Sequence, residues 1–396
     1  MGDGKFVKKK VPSSAKQPTS RTARRSDLHL SPGAETRSEI LSQPEIWVAT
    51  ARRFANSTAR VRISELFSPH QPWLFVACGS SYYLARIIAT HWTKLLNVSC
   101  TAVPASELLF AEETLARTGA KQAVLISRSG KTTEVLRAAK LLHSRDGMRT
   151  LGVTCNEQSE LANRCTLMLT LPWADEKSLV MTRSFTSILL LFAKLAANFL
   201  QDAKLAAALD ALPEKASPWL GANADKIRAL GAKRTFGDFV FLGQGAHYWL
   251  AQEAALKLTE MSSSYAQAYH TLEFRHGPKS IASADTLITF FLSDAAAEEE
   301  SLLVPEVSEL GATTMVVTNR ATKALRSASD LLVELDSDAP EFARMALAAL
   351  PAQWLGLAVG VRKGLDPDTP KNLTRAVVLA GENGALPRPA RKRRAD

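Results

Sequence analysis

Four runs of this 396-residue chain carry side chains able to do chemistry. The first is Leu125-Ile126-Ser127-Arg128-Ser129-Gly130-Lys131-Thr132-Thr133-Glu134-Val135-Leu136, an apolar strand that breaks into a hydroxyl-rich turn and restarts as a helix. Amides at a helix start lack intrahelical partners and carry the positive end of the macrodipole, so a phosphate dianion accepts several hydrogen bonds there. Ser127, Ser129, Thr132 and Thr133 add hydroxyl donors. The same residue types also serve as plain N-caps, so other segments must decide.

The second run, Cys78-Gly79-Ser80-Ser81-Tyr82-Tyr83, has a glycine for a tight strand-to-helix turn and two capping hydroxyls that would form a second wall of the same cradle. Met181-Thr182-Arg183-Ser184 is another polar turn before an apolar helix, and reads equally well as an N-cap. Gly243-Gln244-Gly245-Ala246-His247 lacks the hydroxyl pair and offers two glycines suited to close backbone approach by a ligand. The third run is the helix Tyr248 to Met261, where Glu253, Lys257 and Glu260 fall at i, i+4 and i+7 and share one stripe. Such a ladder is often solvent-facing; if buried, it would let Glu260 move a proton between adjacent sugar carbons, with Lys257 and Glu253 setting its charge environment. Glu273-Phe274-Arg275-His276-Gly277-Pro278-Lys279 follows, with an imidazole able to titrate near neutrality and act in opening a sugar ring. The seven histidines show no H-x-x-H or H-E-x-x-H spacing, so no metal is expected, and no cofactor.

Short buried strands must position these runs. They read as Trp73–Cys78, Ala123–Ser127, Thr150–Thr154 and Leu167–Leu171, then again as Phe239–Leu242, Leu287–Leu292, Thr314–Thr318 and Leu331–Leu335, alternating with helices. Gly79 and Gly243 differ by 164, as do Thr154 and Thr318, and Leu167 and Leu331, so one ancestral unit occurs twice. The alternation predicts an α/β protein of two parallel sheets, each with helices on both faces, holding ligands beyond the carboxyl ends of the strands. A periplasmic-type binding protein shares that rhythm, but no export signal is evident; a dinucleotide enzyme does too, but no G-x-G-x-x-G follows a strand.

Composition fits a globular protein with a large core: 46% of residues are hydrophobic and 22% charged. The net charge of +10 is confined to the ends. Residues 1–30 hold eight Lys/Arg against Asp3 and Asp27, residues 385–396 hold five against Asp396, and the body between is neutral. Basic Pro- and Ser-containing arms disfavour a nucleic-acid face. Cys78, Cys100, Cys155 and Cys165 form no C-x-x-C pair and suit reduced thiols in a cytoplasm. The apolar stretch Ser187 to Leu200 is interrupted by Lys194 and reads as too short to span a bilayer, so no membrane is expected.

The span from about Glu35 to Leu379 resembles the double sugar isomerase (SIS) domain family, which includes the isomerase half of glucosamine-6-phosphate synthase. The likeness rests on Cys78-Gly79-Ser80-Ser81-Tyr82, Ser127-Arg128-Ser129-Gly130-Lys131-Thr132, Glu253-Ala254-Ala255-Leu256-Lys257-Leu258-Thr259-Glu260 and Phe274-Arg275-His276-Gly277-Pro278-Lys279-Ser280. Details such as Gln43-Pro44-Glu45-Ile46-Trp47 and Met181-Thr182-Arg183-Ser184-Phe185 are closer to an AgaS-like branch associated with galactosamine-6-phosphate deamination and ketose/aldose isomerisation. The resemblance implies two tandem flavodoxin-like three-layer units. It divides the chain into a disordered basic arm (1–34), a first SIS domain (35–201), a helical linker (202–235), a second SIS domain (236–365), an active-site tail (366–384) and a second basic arm (385–396).

It also implies roles. Gly79, Ser80, Ser81, Ser127, Arg128, Ser129 and Thr132, with Thr182, Gly243 and Glu253, would hold a sugar 6-phosphate. Glu260 would be the C1/C2 base, Lys257 and Arg375 would assist, and His276 would open the ring from a neighbouring subunit, making the protein at least a homodimer. Two departures matter. Residues 1–34 contain no cysteine and are too few for a glutamine-hydrolysing domain, so glutamine is not expected as amide donor. The tail position that presents an imine-forming lysine in the synthase reads Arg375, whose guanidinium stays protonated and cannot form a Schiff base. The expected activity is an aldose–ketose isomerase and deaminase acting on a galactosamine- or glucosamine-6-phosphate. A simple tagatose-6-phosphate-type isomerase and a non-catalytic phosphosugar-binding regulator are the rivals.

Overall fold

Ten strands form two all-parallel sheets of five in a computed structural model that describes residues 1–2, 31–111 and 113–379. The expected basic arms, apart from residues 1–2 and 31–34, and the end of the expected tail lie outside the described residues. The first sheet contains β1 (Trp73–Ala77), β2 (Cys100–Pro104), β3 (Gln122–Ile126), β4 (Arg149–Thr154) and β5 (Leu167–Thr170) in the order β2-β1-β3-β4-β5. The second contains β6 (Asp238–Gly243), β7 (Ala266–His270), β8 (Thr286–Phe291), β9 (Thr313–Thr318) and β10 (Leu331–Glu334) in the order β10-β9-β8-β6-β7. Both are the doubly wound order 2-1-3-4-5, whose switch point lies between the first and third strands.

Alternating strand residues face two different cores. Trp73, Phe75 and Ala77 point into a large core shared by both halves, and Leu74 and Val76 into a smaller one on the other face of the first sheet. Phe239 and Phe241 enter the shared core, whereas Val240 and Leu242 enter a third. Six strands buried on both faces are continuous apolar runs and read directly from sequence, as do the short, Leu-rich edge strands β5 and β10. The other two, β2 and β7, are edge strands in equivalent places; every residue of β7 is half-buried, and its polar Gln267 and His270 mask the pattern.

The shared core is filled by helices Arg183–Leu200, Ala246–Ser262 and Leu350–Arg362, and by a 31-residue helix, Ala203–Lys233, that carries both Pro213 and Pro218. By length and composition, Arg183–Leu200 and Glu341–Arg362 could each cross a membrane, contrary to the reading of the Ser187 segment as too short. Their most apolar 18-residue windows are 78% and 100% buried inside the protein, so packing within the fold accounts for their apolarity.

The duplication holds, with a corrected register. Ser127 N–H donates to the Val153 carbonyl and Leu292 N–H to that of Val317, so Ser127 corresponds to Leu292, 165 apart. Ladder pairs Ala77↔Ile126 and Gly243↔Phe291 make Ala77 the counterpart of Gly243, 166 apart. Gly79 therefore matches Gly245, not Gly243. The two share a backbone that favours glycine, φ 57° and ψ −133° against φ 58° and ψ −122°, and each caps a 17-residue helix. The interval of 164 applies to β4/β9 and β5/β10, and single-residue changes in the connections account for the rest.

Candidate active site

The cavity lies where the fold rules place a ligand, beyond the carboxyl ends of β1 and β3. After β1, Gly79 turns the chain so that Ser80 and Ser81 become the first two residues of helix Ser80–Leu96, where backbone N–H groups have no intrahelical acceptor. After β3, the chain loops through Ser127–Thr132 into helix Thr133–His143. Ser127 Oγ is 3.1 Å from Thr132 Oγ1 and accepts from Gly130 N–H at 3.1 Å, while Ser129 Oγ accepts from Lys131 N–H at 3.2 Å. These bonds fix the loop's hydroxyls. The N–H groups of Arg128 and Ser129 have no protein acceptor among the described residues. Ser80, Ser81, Ser127, Ser129 and Thr132 all line a cavity of about 190 Å³, and the arrangement suits a phosphate oxyanion.

Helix Ala246–Ser262 supplies the opposite wall. Lys257 and Glu260 line the same cavity, so the expected stripe is not a solvent-facing ladder. Lys257 is 1% exposed, and its ammonium donates to Glu260 Oε2 and lies 3.5 Å from Glu253 Oε1. Burial lowers the pKa of Lys257, but the two carboxylates outweigh it and hold the group above its ordinary value. Burial pushes the Glu253 carboxyl up to about 7, with Lys257 pulling the other way. Glu260, with its side chain 18% exposed, is the acid of this cluster that faces the cavity. A lysine between two acids, one of them poised near neutrality, can exchange protons with a bound sugar at low cost.

The C-terminal segment forms the third wall, with Thr374, Arg375 and Val377 lining the cavity. Val377 carbonyl accepts from Thr133 N–H at 3.1 Å, and Leu379 N–H donates to Thr133 Oγ1 at 2.9 Å. Arg375 is tied to the Glu176 carbonyl and, at 2.5 Å, to Asp175 Oδ1. Beneath it, the Arg128 guanidinium donates to Glu176 Oε2 at 3.0 Å, to Val180 O at 3.1 Å and to Leu179 O at 2.7 Å. Arg128 thus spends its charge inside the protein. It braces the cavity, and its backbone N–H, not its side chain, is the group open to a ligand.

Four expected site residues do not line this cavity. Glu253 is 4% exposed and sits behind Lys257, where it acts on the charge of its neighbours. Thr182 is fully buried, and its N–H donates at 2.7 Å to Glu176 Oε1, making it part of the cap of helix Arg183–Leu200. Gly243 ends β6, and a Cβ there would fall 2.3 Å from the His247 carbonyl oxygen, so the close approach is made by the chain's own helix and not by a ligand. His276 is exposed in the loop after β7, where Arg275 and Lys279 bind Glu306 at 2.7 and 3.1 Å. The sequence reading missed Asp175 and Glu176. Their only signal was acidic residues just before the Thr182 turn, and nothing local shows that Arg128 and Arg375 converge on them. Among the described residues no group of three or more His, Cys, Asp or Glu could hold a metal ion.

The chain is thus a duplicated, doubly wound α/β protein whose cavity lies at one switch point and faces a Glu-Lys-Glu cluster. The chain belongs to the SIS domain family, whose model matches residues 66–197 and 237–357. Among solved structures, a glucosamine-6-phosphate deaminase from Thermotoga maritima is 31% identical with a TM-score of 0.69, covering 87% of this chain and 100% of that one. A tagatose-6-phosphate ketose/aldose isomerase from Escherichia coli, 19% identical, superposes with a TM-score of 0.74 over 89% of this chain and 98% of that one, a likeness of fold. Among curated proteins, a glutamine–fructose-6-phosphate aminotransferase from Methanothermobacter thermautotrophicus is 29% identical over 77% of this chain and 51% of its own length. The chain spans about half the length of the curated relatives it matches. The names of these relatives are those of a deaminase, an isomerase and an aminotransferase of sugar 6-phosphates.

Proposed function

We propose that the protein is a deaminating isomerase of an aminohexose 6-phosphate, of the glucosamine or galactosamine type. The observation that carries the reading is the cavity's division of labour. Unfilled N–H donors and serine hydroxyls at one end suit the phosphate, and the Lys257–Glu260 pair at the other suits the reacting carbons. With the phosphate anchored and the ring open, Glu260 takes the proton from C2 and delivers it to C1, and Lys257 stabilises the enediolate-like oxygen. The amine leaves C2 as ammonia once that carbon is oxidised to the level of an imine and hydrated.

The charges favour an amine over a hydroxyl at C2. Arg128 is offset by Glu176 and Arg375 by Asp175, while Lys257 faces two carboxylates. The reacting end therefore has no surplus positive charge and accepts an ammonium better than the same site would beside a free cation. Arg375 replaces the imine-forming lysine and is bound to Asp175, consistent with release of ammonia and not transfer of an amide nitrogen. His276 belongs, in this proposal, to the site of a second copy in a homodimer. The test follows ammonia and isomerised product from glucosamine, galactosamine, fructose and tagatose 6-phosphates. Ammonia with ketohexose 6-phosphate from one amino sugar supports the reading. Interconversion of the two neutral sugars without ammonia supports the simple isomerase, and binding without turnover supports a regulator.

A further inference from the structure

In the second half of the chain, the switch point equivalent to the active site is already filled. The corrected register pairs Arg128 with Ser293, and the first helical bonds after each turn, Leu136 N–H to the Thr132 carbonyl and Glu300 N–H to the Ala296 carbonyl, pair Leu136 with Glu300. The N–H of Arg128 has no protein acceptor among the described residues, whereas that of Ser293 donates to Glu300 Oε2 at 2.8 Å. Ser293 Oγ donates to the same oxygen at 2.8 Å, and Thr271 Oγ1 donates to Oε1 at 2.6 Å. Glu300 is fully buried and has no ion-pair partner among the described residues, so three neutral donors carry its carboxylate.

We propose that this turn is a carboxylate-binding nest whose resident ligand is the Glu300 side chain, so that each chain keeps one phosphosugar site and one self-occupied anion site. Its chemistry selects a monoanion. Leu292 and Asp294 stand where Ser127 and Ser129 stand in the first half, and Asp294 N–H donates at 2.8 Å to Glu341, so two further acids border the nest. Arg344, the nearby cation, is engaged by Asp294 and by the Ala339 carbonyl. A small carboxylate fits three neutral donors, while a phosphate dianion meets a net negative border, Asp294 and Glu341 against the one cation Arg344.

Chemical rescue of Glu300→Ala tests this in the full-length protein. The substitution leaves Ser293 N–H, Ser293 Oγ and Thr271 Oγ1 without their acceptor and lowers the thermal midpoint. Formate, compared with chloride at equal ionic strength, is expected to raise the midpoint of the variant well beyond any rise in the wild type, and inorganic phosphate is expected to do less. An equal response of variant and wild type to formate overturns the nest, and a variant-over-wild-type rise that is larger in phosphate than in formate overturns its selectivity. Should Glu300→Ala not accumulate folded, refolding yield in formate against chloride is the readout, and equal yields overturn the proposal.

Discussion

Replacing Lys257 by Met is expected to make stability fall with rising pH in a window where the wild type's does not. Met keeps most of the buried stem and removes the charge. At the 3.5 Å separation of Lys257 Nζ and Glu253 Oε1, their attraction is about 5 kcal/mol with an effective dielectric constant of about 20. Without it, a buried Glu253 cannot stay ionised and takes up a proton, so its folded-state pKa climbs above the wild-type value of about 7. An acid whose folded pKa exceeds its unfolded value of 4.5 favours the folded state most at low pH, and that advantage drains as pH rises to the folded pKa. In the wild type the drain from Glu253 ends near pH 7. In the variant it continues at about 1.4 kcal/mol per pH unit, so the stability gap should widen by roughly 3 kcal/mol between about pH 7 and about pH 9. Denaturant unfolding of both proteins across that range measures the gap. A gap that stays constant would refute the coupling of Lys257 to a buried carboxylate.

Two further consequences follow from the same geometry. Glu260→Gln should cut turnover by about 10²- to 10⁴-fold while leaving phosphosugar affinity within a few-fold, because the phosphate contacts lie on other elements; loss of binding and turnover together would remove its role as the base. Mixed and refolded with His276→Ala, it should regain up to about a quarter of wild-type activity if each site is built from two copies, since about half of the dimers are then mixed and each mixed dimer holds one intact site. No regain would assign His276 to its own chain or to no site. A third prediction concerns acid. Burial presses His91 down to about 3 and also lowers His247 from 6.5. Both imidazoles favour the folded state fully above the unfolded pKa, and that contribution is lost as pH falls from 6.5 toward 3, at about 1.4 kcal/mol per pH unit for His91. His91→Gln should flatten the acid limb of the stability profile, and an unchanged limb would exclude His91 as its cause.

The strands buried on both faces were legible because such strands carry no polar alternation, and the two sheets and their duplication followed from them. Of the four edge strands, β5 and β10 were legible through their Leu runs, whereas β2 and β7, CTAVP and AQAYH, were not, because small and polar residues such as Thr101, Gln267 and His270 dilute their pattern. The Glu253–Lys257–Glu260 stripe was readable as spacing, but its burial was a tertiary fact; the same i, i+4, i+7 pattern on an exposed face would be a charge ladder. A constant offset of 164 pairs Gly79 with Gly243, whereas the structural register pairs it with Gly245, because two connections differ by one residue each. The bracing role of Arg128 was invisible for a different reason. Its partners Glu176, Leu179 and Val180 lie about 50 residues away, and nothing local distinguishes an arginine that grips a ligand from one that grips its own chain.

The most direct measurement is a crystal structure with a non-reacting hexitol 6-phosphate bearing an amine at C2. The phosphate should accept hydrogen bonds from the Arg128 and Ser129 amides and from the hydroxyls of Ser127, Ser129 or Thr132, with C1 and C2 beside the Glu260 carboxyl. A phosphate seated elsewhere, or carbons C1 and C2 turned away from Glu260, would contradict the account.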